Sequence, residues 1–206
     1  MSAVDILDRL TAAELQAQLD RLVIGREIVV LETTTSTNDS ILQMMTSETN
    51  EGLVIFTERQ TAGRGQRGNK WESAAFKGLW FSMLLRPKID IEQSARLTAW
   101  LAQTVANTIE NELSLSPIIK PPNDIYVDGR KVAGVLVEMR AQETAPHFAI
   151  AGVGINVNQS PEDFSDQLRS RATSLAMALD RPVNRQELAI ALLGNLDRTY
   201  PELLAV

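Results

Sequence analysis

The chain has 206 residues, enough for one large domain, and its 44% hydrophobic and 22% charged residues are typical of globular proteins. The net charge of −6 argues against a nucleic-acid-binding surface, because phosphate contacts need clustered lysine and arginine. The absence of cysteine excludes disulfides and thiolate chemistry, and one histidine cannot build a His-based metal site. The N-terminus has no long apolar run, so we expect no signal peptide, no membrane partner and a cytoplasmic location.

Hydrophobic periodicity predicts alternating helices and strands along the chain. Helices are predicted over residues 4–22, from Ile41, over 91–113, over 172–179, and from a capping pair at Asn184 and Glu187 to 203. Strands are predicted over 27–31, 53–57, 78–86 and 148–158, and over 125–127 and 131–139, which a tight Asp128-Gly129 turn joins into a hairpin. This order predicts a single α+β domain with a mixed, mostly antiparallel sheet packed with helices.

A segment rich in glycine and cations, residues 58–71, follows the strand at 53–57, and we call it the glycine loop. It places Gly63, Gly65 and Gly68 among Arg64, Gln66, Arg67 and Lys70. Glycine lets a ligand approach the main chain, and arginine offers paired donors to phosphate or carboxylate oxygens. A solvated turn is the alternative. The spacing fits neither a Walker loop nor a dinucleotide-binding turn.

Three small polar residues, Ser36, Thr37 and Asn38, precede the helical pattern that starts near Ile41. They are the residue types that cap a helix N-terminus. They are equally suited to binding a neutral polar ligand such as a urea or carboxamide. Both roles can hold together.

Two further residues, Trp71 and Lys131, have a structural and a functional interpretation. Trp71 closes the glycine loop, where it is either a buried anchor or a platform that stacks on a ligand ring. Lys131 starts an apolar strand, where it is either solvated or a ligand-binding cation. Pro121 and Pro122 are predicted to hold Asn123 and Asp124 in a rigid loop.

Three residues alternate along the strand predicted at 148–158: Gly152, Gly154 and Asn156. They share one face of the sheet because strand side chains repeat every two residues. Two missing side chains and an amide leave room either for a flat ligand or for close packing against a helix.

Five motifs occur in order: STN (36–38), QTAGRGQRGNKW (60–71), KPPND (120–124), RKVAGVLVE (130–138) and GVGINVN (152–158). Together they resemble the biotin protein ligases of the biotin/lipoate ligase fold, over roughly residues 24–200. The resemblance implies an enzyme that uses ATP to activate biotin as biotinyl-5′-AMP. It also implies transfer of biotin to one lysine of a biotin carboxyl carrier protein.

The resemblance implies a role for each matching residue. Biotin is expected to contact Ser36, Thr37, Asn38, Gln60, Gly63, Arg64, Lys131, Gly134 and Gly152. ATP is expected to contact Arg67, Trp71, Asn123, Asp124 and Asn156. Lys131, Asp124 and Arg64 are the implied catalytic residues, and Asp124 is the implied magnesium ligand. ATP and Mg²⁺ are thus co-substrates, and no prosthetic group is expected.

The sequence departs from the family pattern at three positions. Gln66 and Asn69 stand where arginine is common, so we hypothesise weaker holding of pyrophosphate or the adenylate, with Arg67 and Lys70 compensating in part. Pro121 replaces a tryptophan, which changes the packing beneath Asn123 and Asp124.

The expected organisation is a single catalytic domain over residues 1–206 with an N-terminal helix within 1–23. Neither a DNA-binding domain nor a C-terminal small β-barrel is expected, so we expect no nucleic-acid partner. A homodimer is one state that the resemblance allows. Two other functions stay open: a lipoate or octanoate ligase of the same fold, and a non-catalytic biotin or nucleotide sensor.

Overall fold

A computed structural model describes residues 8–19, 23–141 and 147–204 of the chain. Its first half contains α1 (Ala12–Ala17), β1 (Glu27–Leu31), α2 (Thr37–Met44), β2 (Leu53–Thr57), β3 (Gly63–Arg64), β4 (Lys70–Trp71), β5 (Gly78–Leu85) and α3 (Ser94–Leu113). Its second half contains β6 (Ile118–Lys120), β7 (Asp124–Val127), β8 (Arg130–Arg140), β9 (Phe148–Asn156), α4 (Asp166–Arg169), α5 (Leu175–Leu179) and α6 (Arg185–Leu204).

Seven strands form one sheet in the order β1-β2-β5-β9-β8-β7-β6, and β3 pairs with β4 in a separate small ladder. Among the described strands only β1 and β2 pair in parallel, and the other neighbours in the large sheet are antiparallel. The predicted fold class, an α+β fold with a mixed and mostly antiparallel sheet, is therefore confirmed.

The two faces of the sheet carry different residues. On one face, which we call the helix-covered face, alternate residues of β5 and β9 pack with α3 and α6 in the main core. These residues are Leu79, Phe81, Met83 and Leu85 from β5, and Ala149, Ala151, Val153 and Ile155 from β9. The opposite face carries a smaller apolar cluster around Ile41 of α2, which includes Ile55, Leu84 and Ile150. We call this second face the pocket face.

Most predicted strands are confirmed, and the β7–β8 hairpin has the turn that its sequence predicts. Asp128 and Gly129 have φ angles of 50° and 73°, so both central residues are left-handed, as a tight type I′ turn requires. The prediction missed β6. Lys120 pairs with Asp124, so Asp124 is the first residue of a strand rather than part of a loop. Only residues 121–123 form the turn between β6 and β7.

Two predicted helices are shorter than expected. The helix predicted over 4–22 is right over Ala12–Ala17 and wrong at residues 8–11 and 18–19, while residues 1–7 and 20–22 lie outside the described residues. The helix predicted over 172–179 starts only at Leu175, because Ala172 pairs with Lys131. In the described part of the chain, no helix is long and apolar enough to cross a bilayer.

A buried arginine explains why the chain is not helical before Thr11. Arg185, fully buried at the start of α6, donates to the Glu58 carboxylate at 2.7 Å and to the Asp8 carboxylate at 3.1 Å. Glu58 also accepts a hydrogen bond from the Leu10 backbone N–H at 2.9 Å. Arg185 and Glu58 thus bind the Asp8 carboxylate and the Leu10 N–H. These contacts hold residues 8–10 against the root of the glycine loop.

Candidate functional site

A pocket of about 230 Å³ opens on the pocket face, between the start of α2, the glycine loop, the β6–β7 turn and the middle of β8 and β9. It brings together all but two of the residues expected at the site. Those that line it are Ser36, Thr37, Asn38, Gln60, Arg64, Arg67, Trp71, Asn123, Asp124, Lys131, Gly134 and Gly152. Gly63 and Asn156 are the two that do not line it.

The first end of the pocket is a set of buried, uncharged polar groups at the N-terminus of α2. Ser36 is the N-cap residue, yet its side chain makes no capping hydrogen bond. Gln60 of the glycine loop caps the helix instead, because its side-chain oxygen accepts from the Thr37 N–H at 2.9 Å. The capping interpretation of Ser36 is therefore wrong, and Gln60 joins the glycine loop to α2.

A residue that sequence reasoning missed, Ser82 of β5, orders this polar end. The Ser82 hydroxyl lies 2.5 Å from the Asn38 side-chain oxygen and 2.7 Å from the Thr37 hydroxyl. The amide oxygen can only accept, so Ser82 is the donor to Asn38. In the sequence, Ser82 is a polar residue within the apolar run of β5, and this is the signal that could have identified it. In the structure its side chain is fully buried.

Two carboxylates hold the glycine loop over the pocket through Arg64. The Arg64 guanidinium lies 2.9 Å from the Asp39 carboxylate of α2 and 2.9 Å from the Glu138 carboxylate of β8. The same Glu138 oxygen accepts from the Asn38 amide at 2.7 Å. Glu138 thus links the loop to the polar end of the pocket, and the sequence did not mark it or Asp39 as site residues.

The second end of the pocket depends on a β-bulge in β8. Asp124 pairs with Gly134 and Ile125 with Ala133, but Tyr126 then pairs with Lys131, so Val132 is an extra residue without a partner in β7. Strict alternation would place Lys131 and Gly134 on opposite faces, because they are three residues apart. The bulge shifts the alternation by one and turns Lys131 onto the pocket face beside Asp124.

Lys131 and Asp124 form an ion pair within this end of the pocket. The Lys131 ammonium lies 2.6 Å from the Asp124 carboxylate and 5.2 Å from the centroid of the Trp71 ring. Both charged side chains are only about a quarter exposed, at 29% and 27%, so they can still meet a ligand. The interpretation of Lys131 as a solvated strand-edge lysine is thus not supported by its surroundings.

Two glycines on adjacent strands provide the space for Trp71. Gly134 of β8 pairs with Gly154 of β9. A Cβ at Gly154 would lie 2.6 Å from the Trp71 ring, and a Cβ at Gly134 would lie 3.1 Å from it. At Gly152 a Cβ would lie 2.4 Å from the Asn38 side-chain oxygen. The space above the glycines is therefore occupied by Trp71 and by a residue of α2, which agrees with close packing rather than an open slot.

The glycine loop forms a tight hairpin whose cations face the second end of the pocket. β3 pairs with β4, and the Gly65 N–H donates to the Asn69 carbonyl at 2.7 Å. Arg67 and Lys70 line the pocket and form no ion pair within the described residues. Cations without a carboxylate partner are suited to phosphate oxygens. Gln66 and Asn69 also line this region, where they add neutral amides.

The two expected site residues outside the pocket have structural contacts. Gly63 pairs with Trp71, and a Cβ there would lie 2.6 Å from the Trp71 carbonyl oxygen, so glycine permits the hairpin to close. Asn156 is buried, and its amide nitrogen donates to the Thr173 carbonyl at 3.0 Å. Asn123 lies in the pocket wall and exchanges two hydrogen bonds with the backbone of Val135.

Comparison with known proteins gives sequence relatives for most of this chain. The Biotin/lipoate A/B protein ligase family matches residues 30–156. The bifunctional ligase/repressor BirA of Bacillus subtilis is 36% identical over 177 residues, which cover 86% of this chain and 54% of that protein. A biotin--[acetyl-CoA-carboxylase] ligase of Mycobacterium tuberculosis is 33% identical over 180 residues, covering 84% of this chain and 63% of that protein. The chain thus spans about half the length of the BirA relatives that it matches.

Solved structures show the same fold. A biotin protein ligase from Aquifex aeolicus in complex with biotin and ATP superposes with a TM-score of 0.73 at 29% identity, covering 87% of this chain and 72% of that one. A putative lipoate protein ligase from T. acidophilum with bound lipoic acid superposes with a TM-score of 0.60 at 14% identity, covering 85% of each chain. The second likeness concerns the fold alone.

Proposed function

The chain belongs to the biotin/lipoate A/B protein ligase family, and on that premise we propose that it activates biotin with ATP and transfers it to a protein lysine. One observation carries the proposal: the pocket has a neutral polar end and a cationic end. The neutral end contains Thr37, Asn38 and Gln60, and the cationic end contains Lys131. Biotin has two matching ends: an uncharged ureido group for the neutral end and a carboxylate for the cationic end.

The neutral end also favours biotin over lipoate or octanoate. Ser36, Thr37 and Asn38 are each at most 4% exposed, and Ser82 is fully buried. These hydroxyl and amide groups hydrogen-bond one another, but an apolar ligand that displaces water from their remaining donors and acceptors leaves those unpaired, which costs free energy. The ring of lipoate and the chain of octanoate have no donors or acceptors for these groups, whereas a ureido group has both.

In the first step, a biotin carboxylate oxygen would attack the α-phosphorus of ATP, and the bond to the leaving pyrophosphate would break. Both reactants are anions, so the step needs positive charge at the point of attack. Lys131 would donate to the carboxylate and to the bridging oxygen as charge develops there. Asp124 would hold the ammonium in place, and Arg67 and Lys70 would bind phosphate oxygens.

Magnesium would enter with ATP rather than as a resident ion. Among the described residues, no group of three or more acidic, histidine or cysteine side chains is arranged to hold a metal. A magnesium site with one carboxylate and several phosphate oxygens is nevertheless common. Asp124 is the carboxylate that fits this arrangement, with Asn123 beside it, and the ion would neutralise phosphate charge.

In the second step, a neutral lysine amine of a biotin carboxyl carrier protein would attack the acyl carbon of biotinyl-5′-AMP. AMP would leave with the electron pair of the broken C–O bond, and the amine would lose one proton. The mixed anhydride is already activated, so positioning and exclusion of water are the main tasks. The glycine loop would shield the adenylate, and the ion pairs of Arg64 to α2 and β8, which fasten the loop, support this role.

Pyrophosphate exchange into ATP tests the proposal on the purified chain, with biotin, lipoate and octanoate compared as acids. We expect exchange with biotin alone. Exchange with lipoate at the same rate would contradict the assignment of biotin as the substrate. Measurable biotin binding without exchange for any acid would contradict the ligase activity and favour a non-catalytic biotin sensor.

A further inference from the structure

The glycine loop leaves the sheet after β2, and the chain returns to the sheet at Gly78, the first residue of β5. The outgoing and returning chains meet at residues 58 and 76–78, which we call the neck of the loop. There the Phe76 N–H donates to the Glu58 carbonyl at 3.1 Å. Arg185, the first residue of α6, binds both sides of the neck. Its Nη1 donates to the Glu58 carboxylate at 2.7 Å and to the Gly78 carbonyl at 2.9 Å.

The rest of the Arg185 guanidinium is also engaged. Its Nε donates to the Asp8 carboxylate at 3.1 Å, and its Nη2 donates to the Asp8 backbone carbonyl. All three nitrogens therefore have partners, and the side chain is 0% exposed. A fully buried side chain does not meet a ligand, so any effect of Arg185 on a substrate has to pass through the residues that it holds.

The chain that leaves the neck reaches the pocket within two residues of Glu58. Gln60 forms a parallel bridge with Thr34, and the Thr61 N–H donates to the Thr34 carbonyl at 2.9 Å. The Gln60 side-chain oxygen then accepts from the Thr37 N–H at 2.9 Å, at the polar end of the pocket. The position of the neck therefore influences where Gln60 meets α2.

We propose that Arg185 is a positioning residue for the glycine loop. By holding Glu58 and Gly78 together, it keeps Gln60 at the polar end of the pocket. The ligand that depends on this placement is biotin, and its expected contact with Gln60 rests on the proposed function. Arg185 thus acts on substrate affinity from the first turn of a helix that covers the other face of the sheet.

Arg185→Lys is the most direct variant. A lysine keeps the buried positive charge, but its compact ammonium lacks the planar fork that reaches Glu58, Gly78 and Asp8 together. Arg198→Lys is the matched control, because it makes the same substitution at an exposed position of α6. Arg185→Ala is less informative, since it leaves the Glu58 carboxylate buried without a cation and destabilises the whole fold.

Amide hydrogen exchange on the ligand-free full chain tests the structural part without any need for activity. In Arg185→Lys we expect the Thr61 and Phe76 amides to exchange about ten times faster, since local opening of the neck controls their protection. Exchange within α3 should stay unchanged, which distinguishes a loosened neck from a general loss of stability. Unchanged exchange at Thr61 and Phe76 in a folded Arg185→Lys protein would overturn the proposal.

Calorimetry with biotin tests the functional part, at a temperature well below the unfolding transition. We expect Arg185→Lys to weaken biotin binding about tenfold, because residues that hold a binding element can change affinity without touching the ligand. Arg198→Lys should bind biotin as the unchanged chain does. In a Gln60→Ala background, Arg185→Lys should cause no further loss. Equal biotin affinity of folded Arg185→Lys and the unchanged chain would assign Arg185 to stability alone and contradict the positioning role.

A second variant keeps the test decisive if Arg185→Lys does not fold. Glu58→Gln combined with Arg185→Met removes both buried charges together, so neither is left unpaired. Asp8, whose side chain is 29% exposed, can still be solvated. We expect the same faster exchange at Thr61 and Phe76, and unchanged exchange would overturn the proposal here too. If the unchanged chain binds no biotin, the proposed function fails, while amide exchange still decides whether Arg185 holds the neck.

Discussion

The two faces of β9 show how one strand serves two purposes. On the helix-covered face, Ala149, Ala151, Val153 and Ile155 pack against an apolar core. On the pocket face, the residues change from apolar Ile150 to Gly152, Gly154 and Asn156 within a few positions. Packing on the first face stabilises the chain, whereas small or missing side chains on the second make room for Trp71 and Asn38. Stability and function are thus separated across a single backbone.

The largest effect on the pocket face is expected from Lys131→Ala. Under the proposed mechanism Lys131 neutralises two anionic reactants, so its removal should lower pyrophosphate exchange about 100- to 1,000-fold. The free energy of unfolding should change little, since Lys131 is partly exposed. Lys88→Ala, an exposed lysine away from the pocket, is the control and should retain full activity. A Lys131→Ala protein with more than half the activity would remove Lys131 from the mechanism.

The largest effect on the helix-covered face is expected from Leu101→Ala. Leu101 is fully buried in α3, and its truncation should lower the free energy of unfolding by about 2–5 kcal/mol. Below the unfolding transition, biotin affinity measured by calorimetry should equal that of the unchanged chain. A clear loss of affinity in folded protein would show that the two faces are coupled through the sheet.

A pair of glycine substitutions compares the faces at the level of one methyl group. Gly154→Ala places a Cβ 2.6 Å from the Trp71 ring, so the ring must move, and we expect adenylate affinity to fall about tenfold. Gly194→Ala in α6 meets no atom within 4 Å and should raise the free energy of unfolding by about 0.5–1 kcal/mol. Tryptophan fluorescence and thermal unfolding measure the two results. Unchanged adenylate affinity in Gly154→Ala, or the same loss of adenylate affinity in Gly194→Ala, would contradict the steric explanation.

The smallest effect is expected from Glu138→Gln. It removes one charge from the Arg64 bridge, whose side chains are 40% and 26% exposed, so the loss should be below about 1 kcal/mol. We expect biotin affinity to fall up to about fivefold at low salt, with a smaller difference at high salt, where exposed ion pairs are screened. Glu110→Gln, exposed on α3, is the control. A salt-independent loss would indicate a direct contact between Glu138 and the ligand.

Much of the fold was predictable because local patterns agree with the tertiary structure. The boundaries of β1 and β2, the Asp128-Gly129 turn and the cap of α6 by Asn184 follow from the sequence alone. The non-helical backbone of residues 8–10 could not be predicted, because their apolar spacing is typical of a helix and gives no sign of contact with a buried arginine 177 residues away. The strand β6 was missed since three residues between prolines carry little periodicity.

The site was predictable as a set of residues but not as an arrangement. The motifs identified the polar end and Lys131, yet the cap of α2 comes from Gln60 rather than Ser36. The bulge at Val132 has no signal in the sequence, because an apolar run hides the extra residue. Glu138 and Asp39 look like ordinary surface charges until the fold brings Arg64 between them.

The contacts of Arg185 also have a consequence for the order of folding. The contacts of Arg185 at the root of the glycine loop form only when α6, residue 58 and residues 8–10 meet, and the hydrogen bond from Arg185 to Asp8 spans 177 residues. Contacts between such distant parts of a chain form late, because loop-closure entropy must be overcome first. The sheet and α3 can assemble from nearer neighbours. The Arg185 contacts at the root of the glycine loop are therefore expected among the last to form, and they cannot form before residue 185 has been synthesised.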